Sequence, residues 1–130
     1  PKKVYAIDNA LVSRLGFHFS GEEGRLLENM VFIELRRRGG EVFYHSSGNA
    51  ECDFVVREGF RVTQAIQVCY LFDNFETRKR ELRGIQDAMD TYQLSEGIII
   101  TSSHEEVVEY EKKKIYILPA WKWLRSLTKD

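Results

Sequence analysis

The hydrophobic pattern of this chain changes period at Gly39-Gly40, and this change constrains the fold more than any other feature. Before the two glycines, over residues 24–38, apolar side chains recur at helical spacing. They are Leu27, Met30, Val31 and Leu35. After the glycines come short runs rich in Val, Ile and aromatic residues, which are typical of strands. The pattern predicts an amphipathic helix that ends at the glycines and is followed by a sheet.

Three strand-like runs follow the glycines, at residues 41–45, 51–56 and 61–71. Residues 46–49, which contain Ser, Gly and Asn, provide turn chemistry between the first two runs. Glu58-Gly59 provides the turn between the second and the third. Short polar turns favour hairpin connections, so we expect an antiparallel meander of three strands.

The second half of the chain continues with one more helix and several short strands. Asp73 or Asn74 can cap a helix that runs to about Tyr92, and residues 97–101 contain three isoleucines in a row, as a buried strand does. The remaining predicted segments are strands at residues 107–110 and 115–118, a basic turn at residues 112–114 and a last helix carrying Trp121 and Leu124. Of the two late tryptophans, we expect one to pack in the core and the other to belong to a contact surface.

These elements predict an α/β fold. Its core has the order helix, three strands, helix, strand (α-β-β-β-α-β), with a mixed central sheet flanked by helices and a short β-rich C-terminal extension. Ahead of this core, residues 4–7 are expected to form a strand and residues 10–15 a short helix. The 130 residues suit one domain, and the absence of an initial methionine suggests a fragment of a longer chain.

Composition limits the partners and the location of the chain. With 19 basic and 20 acidic residues the net charge is −1, so any affinity for DNA must come from a local patch. No apolar run approaches the roughly 18 residues that a membrane span requires. The two cysteines show no disulfide spacing, and no signal sequence is present, so the cytoplasm is the expected location.

Glu28 is a charged residue on the apolar side of the first predicted helix, in one sector with Phe32 and Leu35. Burial of an unpaired carboxylate is costly, so this side chain is expected to have a partner. A metal ion, a basic side chain or several backbone donors would serve. An ordinary ion pair at the edge of the core is the alternative to a functional role.

Asp53 and Gln67 lie on two strands that are predicted to be neighbours. Side chains of a strand alternate between the two faces of a sheet. In the second strand, alternation places Glu51, Asp53 and Val55 on one face and Cys52, Phe54 and Val56 on the other. In the third strand it separates Ala65, Gln67, Cys69 and Leu71 from Ile66, Val68 and Tyr70. Pairing of the two strands brings Asp53 close to Gln67.

Hard cations such as Mg²⁺ and Mn²⁺ bind oxygen ligands, often one or two carboxylates with water and substrate phosphate. The side chains of Asp53, Gln67 and Glu28 and the backbone carbonyl of Val68 form such a set. A metal ion held there would activate a water molecule for cleavage of a phosphodiester.

Five segments carry a resemblance to a known family. They are residues 24–35 with Arg38-Gly39, residues 51–56, residues 65–70, residues 97–101 and residues 117–124. Together they resemble the C-terminal domain of archaeal and bacterial AAA+-type ATPases. The resemblance implies the restriction-endonuclease-like fold of the PD-(D/E)XK nuclease superfamily and an N-terminal P-loop ATPase module as a partner in the same chain. No Walker A motif occurs in these 130 residues, so the nucleotide would bind elsewhere.

The resemblance assigns site residues, and two of the four positions depart from the superfamily pattern. Glu28 matches the helix-borne glutamate and Asp53 the aspartate of the second motif. Gln67 stands at the acidic position of the third motif, and Cys69 stands at its lysine. Glutamine brings no charge to a metal, and a cysteine cannot replace the ammonium group that orients water and offsets phosphate charge.

Basic clusters elsewhere in the chain are candidates for the missing positive charge or for contacts with DNA. Arg78, Lys79 and Arg80 begin the second long helix, where one of them can replace the lysine or all can be solvated. Residues 36–38 and 112–114 are either phosphate contacts or ordinary surface.

Three functional hypotheses follow from these observations. The first is a DNA-associated, nuclease-like domain of an ATPase with a degenerate metal site, in which metal-dependent cleavage is the ancestral chemistry. The second is a catalytically inactive module that binds the ATPase, another protein or DNA. The third is a module for homo-oligomerisation, because strands at the exposed end of the sheet can pair between chains.

Overall fold

The computed structural model describes residues 21–126, so the predicted strand at 4–7 and the helix at 10–15 lie outside the described residues. The helices are α1 (Glu22–Arg37), α2 (Phe75–Tyr92) and α3 (Ala120–Ser126). The strands are β1 (Glu41–Ser47), β2 (Ala50–Glu58), β3 (Arg61–Val68), β4 (Glu96–Thr101), β5 (Glu106–Tyr110) and β6 (Lys113–Pro119). None of the described helices is both long enough and apolar enough to cross a membrane.

The described strands form one mixed, six-stranded sheet in the order β1-β2-β3-β4-β6-β5. The first three strands are antiparallel, as predicted. Strand β4 runs parallel to both β3 and β6, and β5 returns antiparallel to β6. The predicted α/β fold with helices around a mixed sheet is therefore confirmed. The two strands expected as an extension complete this sheet, because β6 lies directly beside β4.

A separate hydrophobic core lies on each face of the sheet. Helix α1 and Trp123 cover one face and pack on Phe54, Val56, Ile66 and Val68. Helix α2 covers the other face through Ile85, Ala88 and Met89, which pack on Cys52, Val55, Ala65 and Ile99. Trp123 is buried, as expected for one of the two tryptophans, and Trp121 is exposed. That Trp121 belongs to a contact surface stays a prediction.

The structure selects one of the two predicted caps of α2 and shifts the ends of two predicted strands. Asn74 is the N-cap of α2, and its side chain accepts a hydrogen bond from the N–H of Thr77 at 2.8 Å. Strand β3 ends at Val68 and not at residue 71. The hairpin between β5 and β6 turns at Glu111 and Lys112, both with positive φ, so the next two lysines belong to the strand.

Strand β2 contains an irregularity beside Asp53. In its pairing with β1, Phe43 lies opposite Val55, and His45 lies opposite Cys52. From Phe43 to His45 the chain advances two residues along β1, whereas from Val55 to Cys52 it covers three residues of β2. One extra residue on one strand of a pair is the geometry of a β-bulge. The extra residue reverses the alternation, so the predicted common face for Cys52, Phe54 and Val56 is wrong. Cys52 packs with Val55 on the α2 face instead.

Helix α2 approaches the backbone of β2 closely at Gly84. A Cβ atom at this position would overlap the carbonyl oxygen of Glu51 and would meet the side-chain nitrogen of Gln67 at 2.5 Å. Backbone cannot move away as a flexible side chain can. Because Gly84 has no side chain, α2 can lie this close to the sheet at Glu51 and Gln67.

We expect Gly84→Ala to lower the free energy of unfolding by about 2 to 3 kcal/mol, the cost typical of overpacking, despite the better helix propensity of alanine. Urea denaturation followed by circular dichroism measures the change. Gly97→Ala is the control, because its methyl group meets the side chains of Met89 and Ile85, not backbone. An equal loss in the two variants would contradict the role given to the backbone contact.

Candidate functional site

The candidate site lies where β2 and β3 stop pairing through their backbones. The backbone N–H of Val68 donates to Oδ2 of Asp53 at 2.8 Å. In the opposite direction, the backbone N–H of Asp53 donates to Oε1 of Gln67 at 2.8 Å. The side chains of Asp53 and Gln67 thus replace backbone groups in the hydrogen bonding between β2 and β3. The predicted approach of Asp53 to Gln67 is confirmed, and both residues are buried.

Gln67 uses both ends of its side-chain amide inside the fold. Its Nε2 donates to the carbonyl oxygen of Glu51 at 2.8 Å and to that of Glu81, on α2, at 3.2 Å. A glutamine amide has two N–H donors, and both are engaged. The side chain joins β2, β3 and α2, which is a structural role. A carboxylate here would face two carbonyl oxygens without a proton to offer them.

Glu28 reaches the site from α1 and is 5% exposed. Both of its carboxylate oxygens are buried without a hydrogen-bond partner among the described residues. Burial, and then the nearby charge of Glu81, raise the pKa of Glu28 from 4.5 to about 8. The ion pair expected as an ordinary explanation is not formed with any residue in 21–126, and the charges that interact with this carboxylate are those of Glu81 and Asp53.

Glu81 was not among the predicted site residues, yet it is as buried as Glu28. Burial raises its pKa to about 7, although Arg80 opposes the shift with Nε at 3.4 Å from Oε2. The signal in the sequence is its helical spacing with Ile85 and Ala88, which places an acid in the apolar stripe of α2. Helical periodicity therefore identifies Glu81 in the way it identified Glu28.

Asp53 is close enough to both glutamates for their charges to act on it. Burial raises the pKa of Asp53 well above its usual range, and the charges of Glu28 and Glu81 raise it further, while the hydrogen bond from Val68 acts in the opposite direction. Carboxylates that share a site cannot all ionise without a compensating cation. The three side chains thus form an acidic cluster (Glu28, Asp53 and Glu81) in which each negative charge opposes the others.

Cys69 lies two residues after Gln67, at the position where the resemblance to nucleases implies a lysine. Its thiol is buried and donates to the carbonyl oxygen of Leu71 at 3.3 Å. Burial, and then the charge of Glu81, raise the pKa of Cys69 to about 12. A neutral thiol is the result at physiological pH, so Cys69 neither offsets negative charge nor acts as a nucleophile.

Of the three basic residues considered as replacements for the lysine, Arg80 lies at the site. It lines a cavity of about 200 Å³. The other residues that line this cavity are Asn49, Glu51, Asp53, Gln67 and Glu81. Arg78 is engaged elsewhere, since it donates two hydrogen bonds to Glu106, and Lys79 lies over the ring of Phe75.

The predicted metal ligands are brought together only in part. Glu28 and Asp53 are neighbours, whereas Gln67 is committed to hydrogen bonds with the backbone. Within residues 21–126 no three His, Cys, Asp or Glu side chains have an arrangement suited to holding a metal ion. The side chains present therefore fit a catalytic magnesium or manganese site poorly.

Fold and site together define a class of α/β protein with a mixed six-stranded sheet and a buried acidic cluster at the ends of its second and third strands. A family model described as "Domain of unknown function (DUF4143)" matches residues 23–123, and the chain belongs to this family. The matched range contains every residue of the acidic cluster.

One curated relative is an uncharacterized protein of Methanocaldococcus jannaschii, which is 35% identical to this chain. The alignment covers 97% of this chain and 29% of the relative, so the chain spans less than a third of the length of that protein. No solved structure matches the chain.

We expect Gln67→Glu to lower the free energy of unfolding at pH 7 by about 1 to 3 kcal/mol, because the carbonyl oxygens of Glu51 and Glu81 lose the hydrogen bonds from Nε2 and face a carboxylate oxygen instead. The loss should shrink at acidic pH, where a protonated carboxyl can donate one hydrogen bond. Urea denaturation at pH 5 and pH 7 measures both effects. Gln64→Glu on the same strand is the control, and it should change stability little. Equal effects of the two substitutions would contradict the structural role of Gln67.

The acidic cluster also predicts how stability depends on pH. In the unfolded chain Glu28 and Glu81 ionise near pH 4.5, whereas in the folded protein their pKa values are about 8 and about 7. The folded state therefore binds more protons between these values. Its stability is greatest below the unfolded pKa and falls as pH rises through the folded pKa values.

Between pH 5 and pH 8.5 the free energy of unfolding should fall by at least about 1 kcal/mol, since one pKa unit corresponds to about 1.4 kcal/mol. Glu28→Gln should flatten the dependence. Glu23→Gln, on the exposed side of α1, should leave it unchanged. Urea denaturation across this range provides the measurement, and stability that rises with pH in the unsubstituted chain would refute the assignment.

Proposed function

We propose that this chain is a PD-(D/E)XK-like, DNA-associated domain of an ATPase in which structural contacts have replaced the cleavage machinery. It would act as a binding module and not as a nuclease. The order of the elements and the places of Glu28 and Asp53 agree with the superfamily pattern. Domains of the DUF4143 family often occur with AAA ATPase domains, which supports an ATPase as the neighbouring module.

The observation that carries the proposal is the hydrogen bonding of Gln67. A nuclease of this type needs an acidic side chain here that is open to a metal ion. The amide of Gln67 instead makes three hydrogen bonds, two of them to carbonyl oxygens that a carboxylate would repel. The position is therefore built around an amide, and cleavage chemistry would require a different environment, not only a different residue.

The neighbouring position supports the same conclusion. A lysine two residues after the acidic position would orient the attacking water and offset the charge of the phosphate. Cys69 is buried and neutral at this place. Gln67 and Cys69, which stand at the acidic and the lysine position of the third motif, thus both take part in the packing of the sheet against α2.

The outward face of α2 supports DNA as a partner. A surface depression of about 410 Å³ is lined there by residues at helical spacing. They are Phe75, Arg78, Lys79, Leu82, Arg83 and Gln86. The described residues that line it include an exposed aromatic ring and three cations, of which Arg78 is paired with Glu106 while Lys79 and Arg83 are exposed. Cations with an adjacent aromatic ring suit the phosphates and bases of a nucleic acid strand.

A second candidate function is residual metal-dependent cleavage of DNA. The unpartnered oxygens of Glu28 favour it, as does the position of Arg80 at the cavity, where a guanidinium can stand in for the missing ammonium. In this case Glu28, Asp53 and the carbonyl of Val68 would hold Mg²⁺ or Mn²⁺, which would supply an activated water. The engaged side chain of Gln67 counts against this candidate.

Incubation with labelled single-stranded, duplex and branched DNA in Mn²⁺ separates the two candidates. We expect shifted but intact DNA, both with the unsubstituted chain and with Asp53→Asn, which keeps an acceptor for the N–H of Val68. Cleavage that disappears in the Asp53→Asn variant would overturn the proposal and establish the second candidate.

Lys79→Ala combined with Arg83→Ala should weaken the shift without changing the fold, since both side chains are exposed. A shift that is unaffected by this double substitution would remove DNA contact from the outward face of α2. Absence of any shift would leave a protein as the partner of the module.

A further inference from the structure

Helix α1 carries large apolar side chains on two opposite sides. One side is buried against the sheet. The other side presents Leu26, Met30 and Ile33, whose side chains are 67%, 37% and 56% exposed. At 100° for each residue, these three fall within a sector of about 60° and form one stripe, the outward stripe of α1. A helix at a protein surface normally keeps polar residues on its outward side, so this stripe suits contact with a partner.

The outward stripe differs from exposed apolar residues that occur singly. Single exposed apolar side chains are normal on a protein surface. The other large apolar side chains that are exposed among the described residues lie one at a time on separate elements or turns. They are Phe60, Leu71, Phe75, Val107 and Trp121. The stripe instead joins successive turns of one helix into a continuous apolar surface, as interaction sites do.

Opposite charges flank the outward stripe at the two ends of α1. The helix begins with Glu22 and ends with Arg36 and Arg37, 16 residues in all, which corresponds to about 24 Å. Arg37 pairs with Glu34 of the same helix at 2.7 Å. Arg36 lies over the ring of Phe32 at 5.8 Å, and a guanidinium in such a position can still donate its N–H groups to a carboxylate. The surface therefore has an acidic end, an apolar middle and a basic end.

This order of charges makes the surface complementary to a reversed copy of itself. In an antiparallel pair of α1 helices, Glu22 of each copy lies beside Arg36 of the other, and two-fold symmetry forms this ion pair twice. Met30, near the middle of the helix, then lies close to the symmetry axis. A parallel pair would place like charges together at both ends, which is unfavourable. Helix dipoles also favour the antiparallel arrangement.

We propose that the outward stripe of α1 is a dimer interface that binds a second copy of this chain, with the two α1 helices antiparallel about a two-fold axis near Met30. The apolar side chains provide the contact, and the ion pairs at the ends set its direction. One helix from each copy makes a small interface, so the dimer is weak and reversible.

The position of α1 separates this interface from the other surfaces of the molecule. Helices α1 and α2 pack on opposite faces of the sheet. A dimer through α1 therefore leaves the outward face of α2 open in both copies, and the inference does not depend on what α2 binds. It also differs from the pairing of exposed strands that the sequence suggested, because the contact is made by helices.

Sedimentation velocity of the full chain over a range of micromolar concentrations tests the interface. We expect a reversible equilibrium between monomer and dimer. Met30→Glu places two like charges near the symmetry axis and should weaken the dimer by at least about tenfold. Val107→Glu is the matched control, because it introduces the same charge at an exposed apolar residue of β5, the last strand of the described sheet. Circular dichroism verifies the fold of each variant. Loss of the dimer in Val107→Glu but not in Met30→Glu would assign it to strand pairing and overturn the inference.

Reversal of single charges tests the antiparallel direction. At low salt, Glu22→Arg or Arg36→Glu alone should weaken the dimer by about threefold or more, because two like-charge pairs replace two opposite-charge pairs. An equal mixture of the two variants should recover the affinity, since both opposite-charge pairs form again between unlike chains. Full affinity of each single variant, or a mixture that binds no better than either variant alone, would refute the arrangement.

The variant Met30→Cys shows which molecule covers the stripe. The native thiols of Cys52 and Cys69 are buried, so the added thiol is the exposed one among the described residues. It should react rapidly with a thiol reagent in the dilute monomer and more slowly as the dimer forms. A slow reaction in the monomer would mean that the chain covers its own stripe. A rapid reaction at every concentration, with no dimer, would leave a different protein as the occupant. Either result would overturn the inference.

Discussion

The side-chain amide of Gln67 is the interaction on which this part of the molecule depends. Its oxygen accepts from the backbone of Asp53, and its nitrogen donates to carbonyl oxygens of Glu51 and Glu81. The ladder between β2 and β3 ends here, and helix α2 comes close enough to touch the sheet because Gly84 has no side chain. Without the amide, the N–H of Asp53 and the carbonyl oxygens of Glu51 and Glu81 would lose these hydrogen bonds, and leaving a buried group such as the N–H of Asp53 unpaired costs about 1 to 3 kcal/mol. The amide of Gln67 thus joins β2, β3 and α2, whereas a carboxylate at this position would repel the carbonyl oxygens of β2 and α2.

The same arrangement explains why the acidic cluster persists although it is unfavourable. Asp53 is held by the N–H of Val68, and Glu81 is held because its backbone belongs to the contact with Gln67. Glu28 has neither kind of support, and its burial is imposed by the apolar residues on the same side of α1. Groups that raise one another's pKa in this way often mark functional sites, although structural networks do so as well. Here Asp53 and Glu81 line a cavity of about 200 Å³, and Arg80 is the basic residue among the described residues that line it.

Much of the fold was predictable because it follows from local periodicity. Apolar spacing identified α1 and α2, turn residues separated β1, β2 and β3, and the run of isoleucines identified β4. The placement of Glu28 in the core followed from its helical sector. The regular alternation of side chains between the two faces of a strand gives the wrong face for Cys52, because a bulge in β2 beside Asp53 reverses the faces. Glu81 follows the run Arg78, Lys79 and Arg80, and because such a charge run predicts a solvated helix face, the sequence gives only a weak sign that this carboxylate is buried. The end of β3 was placed too late, since the side chain of Asp53 takes the N–H that a longer strand would have used.

By itself the sequence determined which segments are helices and strands and that helices flank a mixed sheet. These properties depend on near neighbours along the chain, whose spacing is visible in the sequence. The tertiary structure alone decided that the amide of Gln67 is fully engaged, that Glu28 has no partner among the described residues, and that Arg80 and not Arg78 lies at the cavity. Each of these depends on how closely α2 approaches β2 and on the register of the bulge, and such distances are set by packing between residues far apart in the chain.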